Sequence, residues 1–280
     1  MPIDRTVPAV SHRDFLENLN ATRLRLNQEA RAVSSGRRLH DPSDDPANIA
    51  RLLQLKDSLA GVEQYGRNVA SGRALLSFTD SVLDSVVNQM NVVIQRGTQA
   101  ATGTTTAQAR AVIGDEITAI RDQLLGLANS TFQGNYIFSG TRTDPRPFTL
   151  SGGGVTYQGN LGVTLIDVGP GVTGPTNLPG SQVFTANGAS LFGSLQGLIT
   201  ALRTPSAPPP DQGTQISTAM TQVAQAFDQV RNSRSTIGGY LGSFERAKTV
   251  LDGQRFQLIS SASAIEDADL AESIANMIKE

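Results

Sequence analysis

The amino-acid sequence predicts a mainly α protein with a β-rich insertion. Its N- and C-terminal segments form a long antiparallel helical bundle or coiled coil, and a small β domain is inserted between them. Three observations carry this. Apolar residues recur at alternating steps of three and four along both flanks, the period of a coiled-coil seam. Gly and Pro crowd the middle: of 27 Gly and 13 Pro, 23 in all lie between Gly140 and Gly213. The same stretch is nearly uncharged, with Asp167 the one charged residue from Pro147 to Leu202.

In the first flank Leu16, Leu19, Leu26, Ala30 and Val33 fall on one seam, with Arg23 as the intruder. Ser11 is the expected N-cap, and Asp14 complements the helix dipole. Pro2 and Pro8 argue against helix before Ser11. Gly36 and Asp41-Pro42 stop the run. Asp45 then caps a second helix with Pro46 at its first position, where a missing N–H costs nothing. Its seam runs through Leu52, Leu55, Leu59, Val62 and Val69, then Leu76, Leu83, Val86, Met90 and Val93. Unbroken to Ala100, this helix is about 80 Å long at about 1.5 Å per residue. Gly61, Gly66 and Gly72 each weaken it by up to about 1 kcal/mol relative to Ala. Gly103 and Thr104–Thr106 break the pattern, and a third helix follows with Ile113, Ile117, Ile120, Leu124 and Leu127 on its seam.

The middle of the chain reads as short strands and turns, punctuated by Phe148, Tyr157, Val163, Leu165, Ile166, Val168 and Phe184. Pro205 to Pro210 reads as a stiff exit linker. The seam then resumes with Ile216, Met220, Val223, Phe227 and Val230. It continues through Ile237, Leu241, Phe244, Leu251, Leu258, Ala262 and Ile265, and Arg234, Lys248 and Arg255 interrupt it. No such narrow seam can bury itself, so the terminal segment must fold back beside the leading ones. Charge agrees. Residues 1–40 hold seven basic and four acidic groups; residues 241–280 hold four basic and seven acidic. Exposed pairs are weak, so this bears on register and partner choice, not on stability. The expected domains are 1–45 with 251–280 as a terminal coiled coil, 46–139 with 211–250 as a helical bundle, and 140–210 as the β-rich insert.

Composition removes most chemistry. A net charge of −2 excludes a bulk electrostatic nucleic-acid binder. Without cysteine there is no disulfide framework, thiolate nucleophile or zinc–thiolate site. His12 and His40 lack any metal-ligand spacing and are expected to be solvated. Asp44-Asp45 and Glu266-Asp267-Ala268-Asp269 do not match a calcium loop; helix capping and a solvated face account for them. Gly152-Gly153-Gly154 lacks the Lys-Ser/Thr of a phosphate loop and reads as a turn. Arg37-Arg38 near a helix end complements a dipole. No catalytic, cofactor-binding or metal-binding residue is expected. No apolar run is long enough to span or insert in a membrane, and the first twenty residues carry too many charges for a cleavable secretory signal.

The motifs carry a resemblance. Ser34-Ser35-Gly36-Arg37-Arg38-Leu39 followed by Asp41-Pro42-Ser43-Asp44-Asp45-Pro46 resembles the N-terminal signature of the bacterial flagellin superfamily. Gly134-Asn135-Tyr136-Ile137-Phe138-Ser139-Gly140-Thr141, then Pro147-Phe148, is similar to its hook-associated junction branch. Val183-Phe184 and Ser190-Leu191-Phe192 fit that branch as well. Ile265-Glu266-Asp267-Ala268-Asp269 resembles the superfamily's C-terminal motif. On this resemblance, Ser35, Gly36, Arg37, Asp44, Asp45, Pro46, Tyr136, Phe138 and Gly140 are structural motif residues.

The resemblance implies a non-enzymatic structural subunit at the junction of hook and filament, outside the cell. It implies export in unfolded form through a type III channel that removes no signal peptide. The implied partners are another hook-associated protein, flagellin, an export chaperone that grips the C-terminal region, and further copies in a ring. Family chains usually continue in a further helix beyond the Glu-Asp-Ala-Asp motif, whereas this sequence ends at Glu280, so that helix is expected to be short or cut off. Leu16, Leu19, Leu26, Val33, Leu251, Leu258 and Ile265 are the expected subunit-interface residues, and residues 46–130 and 214–250 the internal bundle. The competing readings are flagellin itself and a cytoplasmic coiled-coil adaptor. An enzyme built on the same scaffold would need a catalytic set in the insert, where residues 147–202 offer no His, Lys, Arg or Glu.

Overall fold

The computed structural model describes residues 7–39, 41, 45–102, 104–142, 144–152, 154–185, 190–204 and 209–279. The chain divides into two units, Met1–Gln64 with Leu251–Glu280, and Tyr65–Val250. Its elements are helices α1 (Val7–Ser35), α2 (Pro46–Ala101) and α3 (Ala107–Ala128), then hairpins β1 (Thr131–Phe132) with β2 (Asn135–Tyr136), β3 (Phe148–Ser151) with β4 (Gly154–Tyr157), and β5 (Leu165–Gly169) with β6 (Val172–Pro175). Helices α4 (Gly180–Phe184), α5 (Leu191–Arg203), α6 (Pro209–Glu266) and α7 (Leu270–Lys279) complete the chain.

The mainly helical fold with its small antiparallel β elements is as the sequence predicts. Three details differ. Helix α1 starts at Val7, so Ser11 lies inside it and is not its cap. Pro8 is tolerated because it falls in the first turn, where its N–H has no intrahelical partner to lose. For the same reason Pro209 and Pro210 open α6 instead of ending a linker; Pro205–Pro208 lie outside the described residues. Third, the uncharged middle stretch is not all strand and turn. Leu191, Leu195, Leu198 and Leu202 recur at helical spacing, and Ser190 caps α5 by accepting a hydrogen bond from the Gly193 N–H at 3.2 Å.

In the larger unit α2 and α6 run antiparallel. Partners advance along one helix as they recede along the other. The Phe244 ring seats on Gly72, Arg73 pairs with Glu245 at 2.6 Å, Arg234 meets Asp80 and Asp84 at 3.0 and 2.6 Å, and Met220 seats on Gly97. Arg234, an interruption in the apolar pattern, is thus a fork between two carboxylates one turn apart on α2. The seam itself is buried: Val69, Leu76, Leu83, Val86, Met90 and Val93 face Ile216, Val223, Val230, Ile237 and Phe244 within the core. Ile113, Ile117 and Leu124 of α3 are buried too, and α3 packs against α5, with Arg121 donating to Gln196 at 2.7 Å and Arg203 to Asp115 at 2.6 Å.

A buried polar node ties the helix ends together. Arg110, 8% exposed, donates to the carbonyls of Ala100 and Thr102 at the end of α2 and to Gln212 Oε1 at 2.8 Å. Gln212 in turn donates to Thr204 O at 3.1 Å. Two helix C-termini, those of α2 and α5, thus satisfy orphan carbonyls on side chains from the opening turns of α3 and α6.

The Tyr136–Gly140 motif anchors the insert. β1 and β2 turn through Gln133 and Gly134, both at positive φ (51° and 86°), the geometry of a two-residue type I′ hairpin. Phe138 is fully buried among Phe148, Phe184 and Phe192, meeting Phe184 edge-on at 5.2 Å. Its carbonyl accepts from the Gly180 N–H at 2.8 Å and lies 2.9 Å from the Tyr157 hydroxyl. Burial pushes the Tyr157 phenol above its ordinary pKa. Gly140 has φ +76° and abuts Asn160, so a side chain there would be strained and would collide.

Two outcomes follow from this packing. Phe138→Ala removes a fully buried ring and is expected to lower unfolding stability by about 3–5 kcal/mol in urea titrations. Arg110→Ala strands Gln212 and the buried Ala100 carbonyl; the expected loss is about 1–3 kcal/mol, with amide exchange accelerating first at residues 98–102.

Candidate assembly site

The smaller unit brings together the motifs from the two ends of the sequence. Helix α1 ends at Ser35 and Gly36 follows at φ +70°, the left-handed position that closes a helix, with its N–H on Ala32 O at 2.8 Å. Ser35 supports the turn: its hydroxyl donates to Arg31 O and accepts from the Arg37 N–H. The chain then lies beside the end of α6. Arg38 N donates to Glu266 O at 2.8 Å and Ala268 N to Gly36 O at 3.0 Å, a short antiparallel bridge. Arg38 also donates to Ile265 O at 3.1 Å. The two arginines therefore do complement a helix C-terminus, but that of α6, not of the helix they follow.

Side chains lock the same bridge. The Glu266 carboxylate, 13% exposed, sits between Arg37 at 3.2 Å and Lys56 at 2.9 Å. A carboxylate so far from water needs partners, and the α1–α2 connection and α2 supply one each. Glu266 is thus a clasp, not the solvated residue the sequence suggests. Asp267 bonds Ser263, and Asp269 caps α7 by accepting from Ala271 N and Glu272 N at 2.9 and 3.1 Å. At the other motif Asp45 caps α2, accepting from Asn48 N at 3.1 Å and from the Asn48 amide at 2.6 Å. Those bonds, with the nearby Arg38 charge, hold the Asp45 carboxyl below its ordinary pKa. Pro46 takes the first helical position as expected. Asp44 and His40 lie outside the described residues, and so does the side chain of His12.

The expected interface residues are placed unequally. Leu16 and Leu26 are exposed; Leu19, Val33, Leu258 and Ile265 are half-buried; Leu251 is buried within the unit beside Ala32, Leu39 and Leu52 as its other core residues. Exposed apolar residues the sequence pattern did not single out are Phe15, Leu24, Phe256, Ile259, Ile274 and Ile278, with Phe256 73% and Ile278 78% accessible. Phe256 and Leu24 fall off the seam spacing, which is why a periodicity argument passes over them. Helix α7 packs on α1. Beside the bridge lies an open cleft of about 500 Å³, rimmed by Arg31, Arg38, Asp41, Asp45, Asp269 and Glu272. Among the described residues no cluster of His, Asp or Glu is placed to hold a metal ion, and no helix is long and apolar enough to cross a membrane.

A chain whose two terminal motifs close on each other in one unit, and whose other unit is a helical bundle with small β hairpins, has a flagellin-like architecture. Its N-terminal part carries that family's signature: residues 10–143 match the family described as the bacterial flagellin N-terminal helical region. Within that group the chain is similar to flagellar hook-associated protein 3 of Salmonella typhimurium, 27% identical over 265 residues that cover 87% of this chain and 82% of the relative. It is also similar to flagellin of Bacillus subtilis, 23% identical over 290 residues, 100% of this chain and 91% of the relative. The solved structure of flagellar hook-associated protein 3 from Legionella pneumophila shares the fold, with a TM-score of 0.70 at 14% identity over 76% of this chain and 98% of that one.

Two expectations test the site. Gly36→Ala puts a Cβ on a left-handed residue and is expected to destabilise the smaller unit by about 1–2 kcal/mol, read from thermal melting of the full chain. A carboxylate held below its ordinary range adds stability that is complete at neutral pH and is lost as pH falls through its lowered value. The Asp45 carboxyl should therefore titrate by NMR below the ordinary aspartate range, and the Asn48 amide should lose exchange protection only in that acid window. A midpoint at or above the ordinary range would exclude the capping role.

Proposed function

We propose that this protein is a non-enzymatic structural subunit of the bacterial flagellum, forming the junction between hook and filament. The observation that carries the reading is the clasp of Gly36–Arg38 on Glu266–Ala268, which joins the family's two terminal motifs into one unit. The Tyr136–Gly140 block at the root of the insert supports the junction branch, and so does the likeness to hook-associated protein 3. The chain leaves the cell unfolded through the flagellar export channel. Its C-terminal region meets an export chaperone on the way, and at the tip it joins another hook-associated protein on one side, flagellin on the other, and its own copies in a ring.

The terminal unit makes the contacts between subunits. Exposed Leu16, Leu26, Phe15 and Phe256 and half-buried Leu19, Leu258 and Ile265 find apolar neighbours there. Each Leu taken from exposed to fully buried contributes about 1.5–3 kcal/mol, so a few order the ends. The three-part division expected from sequence becomes a division of labour: ends for assembly, bundle for the internal core, insert facing outward. A second reading, filament flagellin, draws on the full-length likeness to the Bacillus subtilis protein.

Immuno-gold labelling of flagellated cells with an antibody against residues 147–202 separates the two. A single band between hook and filament is the expected result; label along the whole filament would make this chain a flagellin. Leu19→Asp is expected to abolish incorporation while leaving the larger unit folded by circular dichroism, and undiminished incorporation would remove the ends from the interface.

A further inference from the structure

Glycine inside a helix usually marks a place where another element comes too close for a side chain. Two glycines of α2 fit that account. A Cβ on Gly72 would strike the buried ring of Phe244 and come within 2.9 Å of Ile166, and one on Gly97 would strike the Met220 sulfur. Beyond the opening residues of α6, where Gly213 is also unobstructed, five others in these two helices do not fit it. At Gly61 and Gly66 of α2, and at Gly238, Gly239 and Gly253 of α6, a Cβ would meet nothing within 4 Å beyond its own helix. None of the five has a positive φ, and all lie inside their helices. Neither packing nor backbone conformation requires glycine at these positions.

Glycine there has a thermodynamic effect. It gives the unfolded chain more conformations to lose and leaves the helix backbone open to water, so each position shifts the local helix–coil balance about fivefold toward coil relative to alanine. Two such positions in one stretch, Gly61 with Gly66 or Gly238 with Gly239, weaken the helix there by up to roughly twentyfold. The weakness is grouped: Gly61 and Gly66 lie little more than one turn apart, and Gly238 and Gly239 are adjacent. A helix with such a group opens locally before it opens globally.

We propose that these five glycines hold α2 and α6 close to local melting, so that the folded chain can be opened from within its helices for passage through a narrow channel. The inference deepens the export reading above and rests on it. It predicts opposite signs for chemically identical substitutions. Gly66→Ala should stabilise, because nothing obstructs the methyl group. Gly72→Ala should destabilise, because Phe244 must move.

The test uses the full chain carrying Gly61→Ala, Gly66→Ala, Gly238→Ala, Gly239→Ala and Gly253→Ala together, beside the unaltered chain and Gly72→Ala. Amide hydrogen exchange around residues 58–69 and 235–242 should slow at least fivefold, and unfolding in denaturant should slow with it. In flagellated cells the secreted amount should fall severalfold, while Gly72→Ala is secreted at least as well as the unaltered chain. Purified five-site variant should still join isolated hook–basal bodies as the unaltered chain does. Exchange that does not slow would overturn the proposed weakness. Slowed exchange with undiminished secretion would overturn its role in passage. A purified variant unable to join hooks would assign the glycines to subunit contacts instead. An unaltered chain that is not secreted at all would overturn the export reading, and this inference with it.

Discussion

The seam between α2 and α6 is the constraint on which the larger unit depends. Each helix offers a stripe of branched side chains too narrow to be shielded by anything but another such stripe. Antiparallel apposition places Leu76, Leu83 and Val86 against Val230, Ile237 and Phe244 as core. The forks of Arg234 on Asp80 and Asp84, and of Arg73 on Glu245, fix which rung meets which. Hydrophobic burial supplies the driving force, while the charged pairs, half in water, supply register. Everything else in the unit hangs on that pair: α3 and α5 pack on each other, and the Arg110–Gln212 node closes the helix ends.

The smaller unit solves a different problem. Its apolar residues are not all buried, so backbone bonds and charge hold the ends together more than a core does. Arg38 N to Glu266 O, Ala268 N to Gly36 O and the carboxylate of Glu266 between two cations form one local knot. The knot also explains why α6 stops: at Asp267 the backbone turns to the bridge, and Asp269 begins α7 afresh. Of the terminal motif residues, Gly36, Arg37 and Glu266 make the knot, and Asp45 and Asp269 cap the helices around it.

Much of this was legible in the sequence. The helix start at Asp45-Pro46, the break ending at Thr106, the stop at Gly36 and the antiparallel return follow from local chemistry and periodicity. The roles of Arg234 and Glu266 were not legible. A charge on an apolar face looks like an interruption until its partner is located, and the partners lie 154 residues away for Asp80 and on another helix for Lys56. Helix α5 was hidden because its exposed face is built of Gly193, Gly197 and Thr200, residue types that read as turns even though they recur at helical spacing opposite the buried leucines. The start of α1 was misplaced because a proline was weighed as a breaker where, in a first turn, it is neutral. Exposed Phe256 could not be found by period at all.

Both units close through contacts that span most of the chain, as the bridge from Arg38 to Ile265 shows across 227 residues. Such a fold has a high contact order for a helical protein. During synthesis the seams of α1 and α2 emerge without the partners they pair with, since α6 and α7 follow every other element in chain order. Neither terminal motif can settle until the other exists, so a nascent chain stays pliable until α6 has left the ribosome. The fold-back topology thereby acts as a clock as well as a scaffold: it postpones the committed state until the returning helix has been made.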